Sequence, residues 1–223
     1  MDWSKEDVIA FVHITSRIAD RTHDELLFDV EGTGTPYFCF LDADGNVIAR
    51  LNENDDLAAF ETGRKDILRW RALLAKAKAG DKSAAIDAEI LACLLGQQDY
   101  YDLEEKLEGF EPNEAQAKQM RGLEAEVTIA ESQQMLRQSR DKETREGVAE
   151  DFEMLVEEDK IPLRETSRMF FWATLGRYAA DKGKTELLKR SVEELRKLPM
   201  PEGRRGERMK TFLEGLEAKL VKK

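Results

Sequence analysis

The sequence changes character at Asp55-Asp56. Before that point, β-branched and aromatic runs alternate with turn signals; after it, Ala, Leu, Glu, Lys and Arg dominate to the end. A chain divided this way is expected to build an α+β fold, with a sheet-bearing unit over about 1–79 and a larger all-α, repeat-like domain over about 80–223. At 223 residues either part is long enough to bury a core.

Within the first part, VIAFVHIT at 8–15 is a continuous apolar run, the pattern of a strand buried on both faces. Thr22-His23-Asp24-Glu25 has the form of a capping box and predicts a short helix carrying Leu26, Leu27 and Val30. Gly32 and Gly34 end it. Pro36 opens the next strand, where a missing N–H harms the ladder least. Asp42-Ala43-Asp44-Gly45 is a turn signal between two strand-like runs, so 37–41 and 46–51 are expected to pair as an antiparallel hairpin.

In the second part the apolar spacing predicts helices over 56–79, broken or kinked near Thr62-Gly63, and over 83–95, 100–107, 113–138, 142–158, 163–180, 185–198 and 203–221. Gly80, Gly96, Gly109, Gly183 and Pro199-Met200-Pro201 punctuate them. Trp172-x-x-Leu175-Gly176, with the helix pair ending at Pro199, is similar to part of a tetratricopeptide repeat, although Tyr178 falls one residue early for that pattern.

The formal charge of −11 repels phosphate backbones and anionic head groups, which argues against nucleic acid and membrane surfaces as partners. No apolar run approaches the roughly 20 residues of a membrane helix. Met1 is not followed by a basic and then apolar leader, so the chain as written is expected to be cytoplasmic, or exported if a leader lies upstream.

Asp29-Val30-Glu31-Gly32-Thr33-Gly34-Thr35-Pro36-Tyr37-Phe38-Cys39-Phe40-Leu41-Asp42-Ala43-Asp44-Gly45 resembles the hairpin region of the thioredoxin-like family. The family pattern is Val-x-Gly-x-Pro, five residues, then Asp-x-x-Gly; this chain has an extra Thr33-Gly34. The resemblance covers the C-terminal two thirds of that fold, over residues 8–79. It implies a cis peptide at Thr35-Pro36 and a loop, Gly34, Thr35, Pro36 and Tyr37, whose exposed backbone pairs with a bound polypeptide.

The departures from the family pattern carry as much weight. Family enzymes attack disulfides with a low-pKa thiolate of a CxxC pair at a helix N-terminus. Here the two cysteines, Cys39 and Cys93, are 54 residues apart and form neither that pair nor a zinc spacing. The family strand and helix that bear the pair are also absent, which leaves a gap in the middle of the sheet. Segment 8–15 closing up against 37–41 would fill it, as would a strand from another chain; a truncated gene is a third explanation.

The remaining candidates read as structure. Cys39, between phenylalanines, is expected to behave as a small hydrophobe, with a redox-sensing thiol as the functional alternative; Cys93 is expected in the core. His13 and His23 stand at no metal-ligand spacing, so no metal and no cofactor are expected. Glu104-Glu105, Glu157-Glu158 and Glu193-Glu194 read as solvated faces. Arg204, Arg205 and Arg208 are expected to form salt bridges within the helices. Trp172, Met169, Phe170, Phe171 and Tyr178 read as core, with the concave groove of a repeat array as the other reading. No phosphate loop, nucleophile elbow or zinc-protease helix occurs.

Together these readings lead to a thioredoxin-like binding or assembly module without its own redox centre, engaging a protein or peptide partner through Thr35-Pro36 and the adjacent strand edge. The competing expectation is a thiol–disulfide oxidoreductase whose CxxC lies upstream or on a partner chain. A third is an oligomerisation device, a homodimer formed by strand pairing across a two-fold axis.

Overall fold

The computed structural model describes residues 26–30, 37–51, 57–139, 141–200 and 203–221. Segment 8–15, both histidines and the Gly34-Thr35-Pro36 loop lie outside the described residues. Helix α1 (Leu26–Asp29) precedes strands β1 (Phe38–Leu41) and β2 (Val47–Leu51). Eight helices follow: α2 (Leu57–Lys78), α3 (Lys82–Leu94), α4 (Tyr100–Lys106), α5 (Glu114–Gln138), α6 (Lys142–Glu157), α7 (Glu165–Lys182), α8 (Thr185–Lys197) and α9 (Gly203–Val221).

The expected hairpin is present as an antiparallel pair, with Phe38 opposite Leu51, Cys39 opposite Arg50 and Phe40 opposite Ala49. Asp42 shapes its turn: Oδ1 accepts from the backbone N–H of Asp44 (2.9 Å) and of Asn46 (2.8 Å), while Gly45 takes a positive φ of 88°. The register shifts between Phe40 and Leu41, leaving Ile48 as the extra residue of a bulge. A bulge of this kind turns two consecutive side chains to one face, which is how both Ile48 and Ala49 are buried.

Helix starts follow the capping chemistry. Asp81, Asp99 and Asp141 accept from the N–H groups of Ala84, Asp102 and Thr144, and Asn113 and Gln116 form a reciprocal capping box at 3.0 Å each way. Helix α7 has no such residue of its own. Glu126 of α5 supplies the acceptor instead, taking the backbone N–H of Arg164 at 2.7 Å and the hydroxyl of Ser167. This fixes the start of α7 two residues later than the apolar spacing predicts.

The predicted break near Thr62-Gly63 does not occur, because α2 runs unbroken through both residues. Glycine costs a helix interior about 1 kcal/mol relative to alanine. Packing of Ile67, Trp70 and Leu73 against the hairpin and α3 outweighs that.

Helices α3, α5, α7 and α9 form a row of neighbours. The intervening helices α4, α6 and α8 each touch the row member before and the one after. The pattern accords with a helical-repeat array. Its largest core patch spans α5 to α9 and contains the predicted aromatic cluster, with Phe171 against Phe152 at 5.0 Å and edge-on to Trp172 at 4.9 Å. Trp172 and Phe171 are buried there, Met169 and Phe170 pack against the patch, and Tyr178 is buried further along α7. A separate patch joins Ile48 and Ala49 of β2 to Ile67 of α2 and to Leu91 and Leu95 at the end of α3, so the packing is continuous across residue 79.

Candidate functional site

The hairpin presents two unequal edges. On β2, the side-chain amide of Gln97, in the α3–α4 connection, donates to the backbone oxygens of Val47 (2.8 Å) and Ile48 (2.5 Å). The Arg50 guanidinium donates to the Gly96 carbonyl at 3.3 Å. The β2 edge is therefore covered by the helical array.

On β1 the ladder fixes which groups point outward. Asp42 N–H donates to Asn46 O at 2.9 Å, and in an antiparallel pair the residues bonded to the partner alternate. Asp42, Phe40 and Phe38 thus face β2. Cys39 and Leu41 direct their backbone N–H and C=O away from it, and among the described residues nothing pairs with them.

The side chains beside this open edge are aromatic. Phe60 of α2 meets Phe38 edge-on at 5.3 Å and Phe40 at 6.2 Å, and all three rings are half-buried. Tyr37, placed in a strand by sequence pattern, lies just before β1, with its hydroxyl donating to the Val30 carbonyl at 3.1 Å. That bond ties the residue after the Thr35-Pro36 loop to the end of α1. Gly34, Thr35 and Pro36 themselves lie outside the described residues.

Neither thiol is prepared for nucleophilic chemistry. Burial pushes the Cys39 thiol above its ordinary pKa and outweighs the nearby Arg50 guanidinium, which acts the other way. Cys93 is buried, its Sγ lies 3.1 Å from the Asp99 carbonyl, and burial pushes its pKa up to about 11. Both are free thiols. Among the described residues no group of three or more His, Cys, Asp or Glu is arranged to hold a metal ion, and no helix is long and apolar enough to cross a membrane.

The expected salt bridges of Arg204, Arg205 and Arg208 are not formed among the described residues. All three are exposed in the first turns of α9, whose carboxylate contacts to neighbouring helices lie further along, as in Arg196–Glu217 at 2.7 Å. Sequence reasoning also missed Gln97 and Glu126. A glutamine in a connection and a glutamate in mid-helix carry no local pattern, and their roles exist only across 38 or more residues of chain.

Compared with family models, with curated proteins and with solved structures, the chain matches none.

Proposed function

We propose that the chain is a polypeptide-binding module, thioredoxin-like in its hairpin unit and without redox chemistry of its own, in which the outer edge of β1 accepts an extended segment of a protein partner. One observation carries this reading: Gln97 covers the β2 edge, while among the described residues nothing pairs with the outward backbone groups of Cys39 and Leu41, which lie beside a half-buried aromatic cluster. Unpaired strand edges are templates for strand addition, and proteins usually cover those they do not use.

Magnitudes assign the work. The outward groups of so short a strand supply only a few backbone hydrogen bonds, each worth about 1 kcal/mol net. Association costs at least about 4 kcal/mol. Affinity therefore comes from apolar side chains of the incoming segment packing against Phe38, Phe40 and Phe60, while the backbone bonds set direction and register. The elevated thiol pKa values support a binding role over disulfide exchange, since the thiolate is the attacking species.

Residue-resolved amide exchange tests the reading, using as probe a decapeptide of alternating valine and threonine with lysine at each end. The Cys39 and Leu41 amides are expected to exchange fast in the free chain and slowly with the probe bound, while Phe38 and Phe40 stay slow in both. Slow Cys39 and Leu41 amides in a probe-free monomer would mean that the chain's own residues hold the edge, and the reading fails. Protection that grows with protein concentration would assign the edge to a second copy.

A further inference from the structure

A cavity between helices goes beyond that reading. Its floor is one stripe of α3, because Asp87, Ile90, Leu91 and Leu94 fall at the i, i+3, i+4, i+7 spacing of a single helix face. Arg69 of α2 lines one side. Gln119 of α5 and Leu163 of the α6–α7 connection line the other. Leu163 sits close against α5 because Gly122 has no side chain; a Cβ there would fall 2.5 Å from Leu163 Cδ2. The cavity volume is about 160 Å³. That is the scale of a cavity holding one benzene-sized group, and well below the roughly 300–1,000 Å³ of sites for drug-sized ligands. Nucleotides and organic cofactors are too large for it.

Two opposite charges line this space without meeting. Gln116, a buried side chain at 4% exposure, donates to Asp87 Oδ1 at 2.8 Å and to the Ser83 carbonyl at 3.1 Å, which fixes the Asp87 carboxylate in place. Asp87 Oδ2 has no partner among the described residues. The Arg69 guanidinium forms an ion pair with neither Asp87 nor Asp66 of its own helix. Asp66 feels the Arg69 charge, but burial is the larger influence and raises its pKa. The rest of the lining is apolar, apart from the Gln119 amide.

We propose that this cavity binds a free α-amino acid with a branched aliphatic side chain. The side chain fills the space over Ile90, Leu91, Leu94 and Leu163. The ammonium pairs with Asp87, and the carboxylate takes the planar fork of Arg69. A zwitterion satisfies both charges at once, whereas an apolar guest alone would cover Asp87 and Arg69 without partners.

The test is titration of the full chain with L-leucine, followed through the methyl resonances of Ile90, Leu91, Leu94 and Leu163. Saturable shifts are expected there, with half-saturation at or below about 1 mM. Leucinamide, which lacks the carboxylate, and N-acetyl-leucine, which lacks the ammonium, are each expected to bind at least about tenfold more weakly, the scale of one charged hydrogen bond. Arg69→Gln should weaken leucine about tenfold and leave leucinamide unchanged. Asp87→Asn, which keeps the acceptor for Gln116, should weaken leucine equally and leave N-acetyl-leucine unchanged. Arg71→Gln, exposed on α2 outside the cavity, should change nothing. Equal affinity for all three ligands would reduce the site to apolar filling and overturn the proposal, as would absence of saturable shifts in a wild-type chain with a normal melting profile. Leucinamide binding as tightly as leucine would assign the site to a polypeptide N-terminus and overturn it too. Cys39 and Leu41 line no part of this cavity, so the strand-addition reading stands or falls separately.

Discussion

Gln97 reaches across fifty residues of sequence to donate its side-chain amide to the backbone oxygen of Val47 at 2.8 Å. A side chain here occupies the place that a third strand's backbone would take. It locks the hairpin to the end of α3 and leaves β1 as the edge that nothing pairs with among the described residues.

Replacing Gln97 by Ala removes two acceptors' partner at once. The expected loss is about 1–3 kcal/mol, because Ile48 is buried and its carbonyl would be left poorly satisfied. Chemical denaturation measures the loss. The effect should concentrate in the hairpin, so the Ile48 and Ala49 amides should exchange faster while those of α7 and α8 keep their rates.

Two glycines mark close approaches, Gly122 of α5 to the α6–α7 connection and Gly176 of α7 to α9, and they should not respond alike. A Cβ on Gly122 would fall 2.5 Å from Leu163 Cδ2, 2.6 Å from its Cγ and 3.0 Å from the Ile161 carbonyl, whereas one on Gly176 would meet chiefly the far end of Leu216 at 2.8 Å. Alanine returns about 1 kcal/mol of helix propensity at either site. Overpacking costs about 1–3 kcal/mol. Gly122→Ala is therefore expected to destabilise by about 1–2 kcal/mol, while Gly176→Ala stays within about 1 kcal/mol of wild type, as read by thermal melting.

The thiols predict an order of reactivity. Alkylation by iodoacetamide near neutral pH should be slower at Cys39 than in an unfolded peptide and slower still at Cys93, whose pKa is held at about 11 chiefly by burial. In denaturant both should react alike. Rapid native-state alkylation of Cys93 would show that the α3–α4 corner is not packed as described.

Asp141 supplies the pH dependence. The hydroxyl of Ser139 and then the backbone N–H of Thr144 stabilise its ionised form and hold its pKa at about 2, below the ordinary value of about 3.9. A depressed carboxylate pKa stabilises the folded state above the unfolded value, and that contribution disappears as pH falls through the folded value. The α6 cap should hold above about pH 4 and be lost between there and about pH 2. A carboxyl-carbon NMR titration with a midpoint near 4 would contradict this.

Local chemistry made much of the fold legible in the sequence. Asp42 with Gly45 announced the hairpin turn, and apolar spacing with glycine punctuation placed the starts of α3, α4, α5 and α6 within a residue of where Asp81, Asp99, Asn113 and Asp141 cap them. The errors fell where tertiary contacts decide. Gly63 looked like a helix breaker until α3 and the hairpin were packed on α2, and the start of α7 depends on Glu126 from another helix. Of the anticipated site, the β1 strand was legible because an apolar run and turn chemistry define the hairpin, while Gly34, Thr35 and Pro36 lie outside the described residues. The asymmetry of the hairpin's edges was not legible, because it depends on Gln97, which no local spacing connects to β2.

A proline scan of β1, read by affinity for the alternating valine–threonine peptide, tests the account most directly. Proline removes one backbone N–H and is tolerated where that group faces away from the ladder. Cys39→Pro should leave the melting profile nearly unchanged and weaken peptide binding at least about fivefold, the loss of one backbone hydrogen bond, and Phe40→Pro should disrupt the hairpin itself. A Cys39→Pro chain that folds and binds the peptide as wild type does would contradict strand addition at β1.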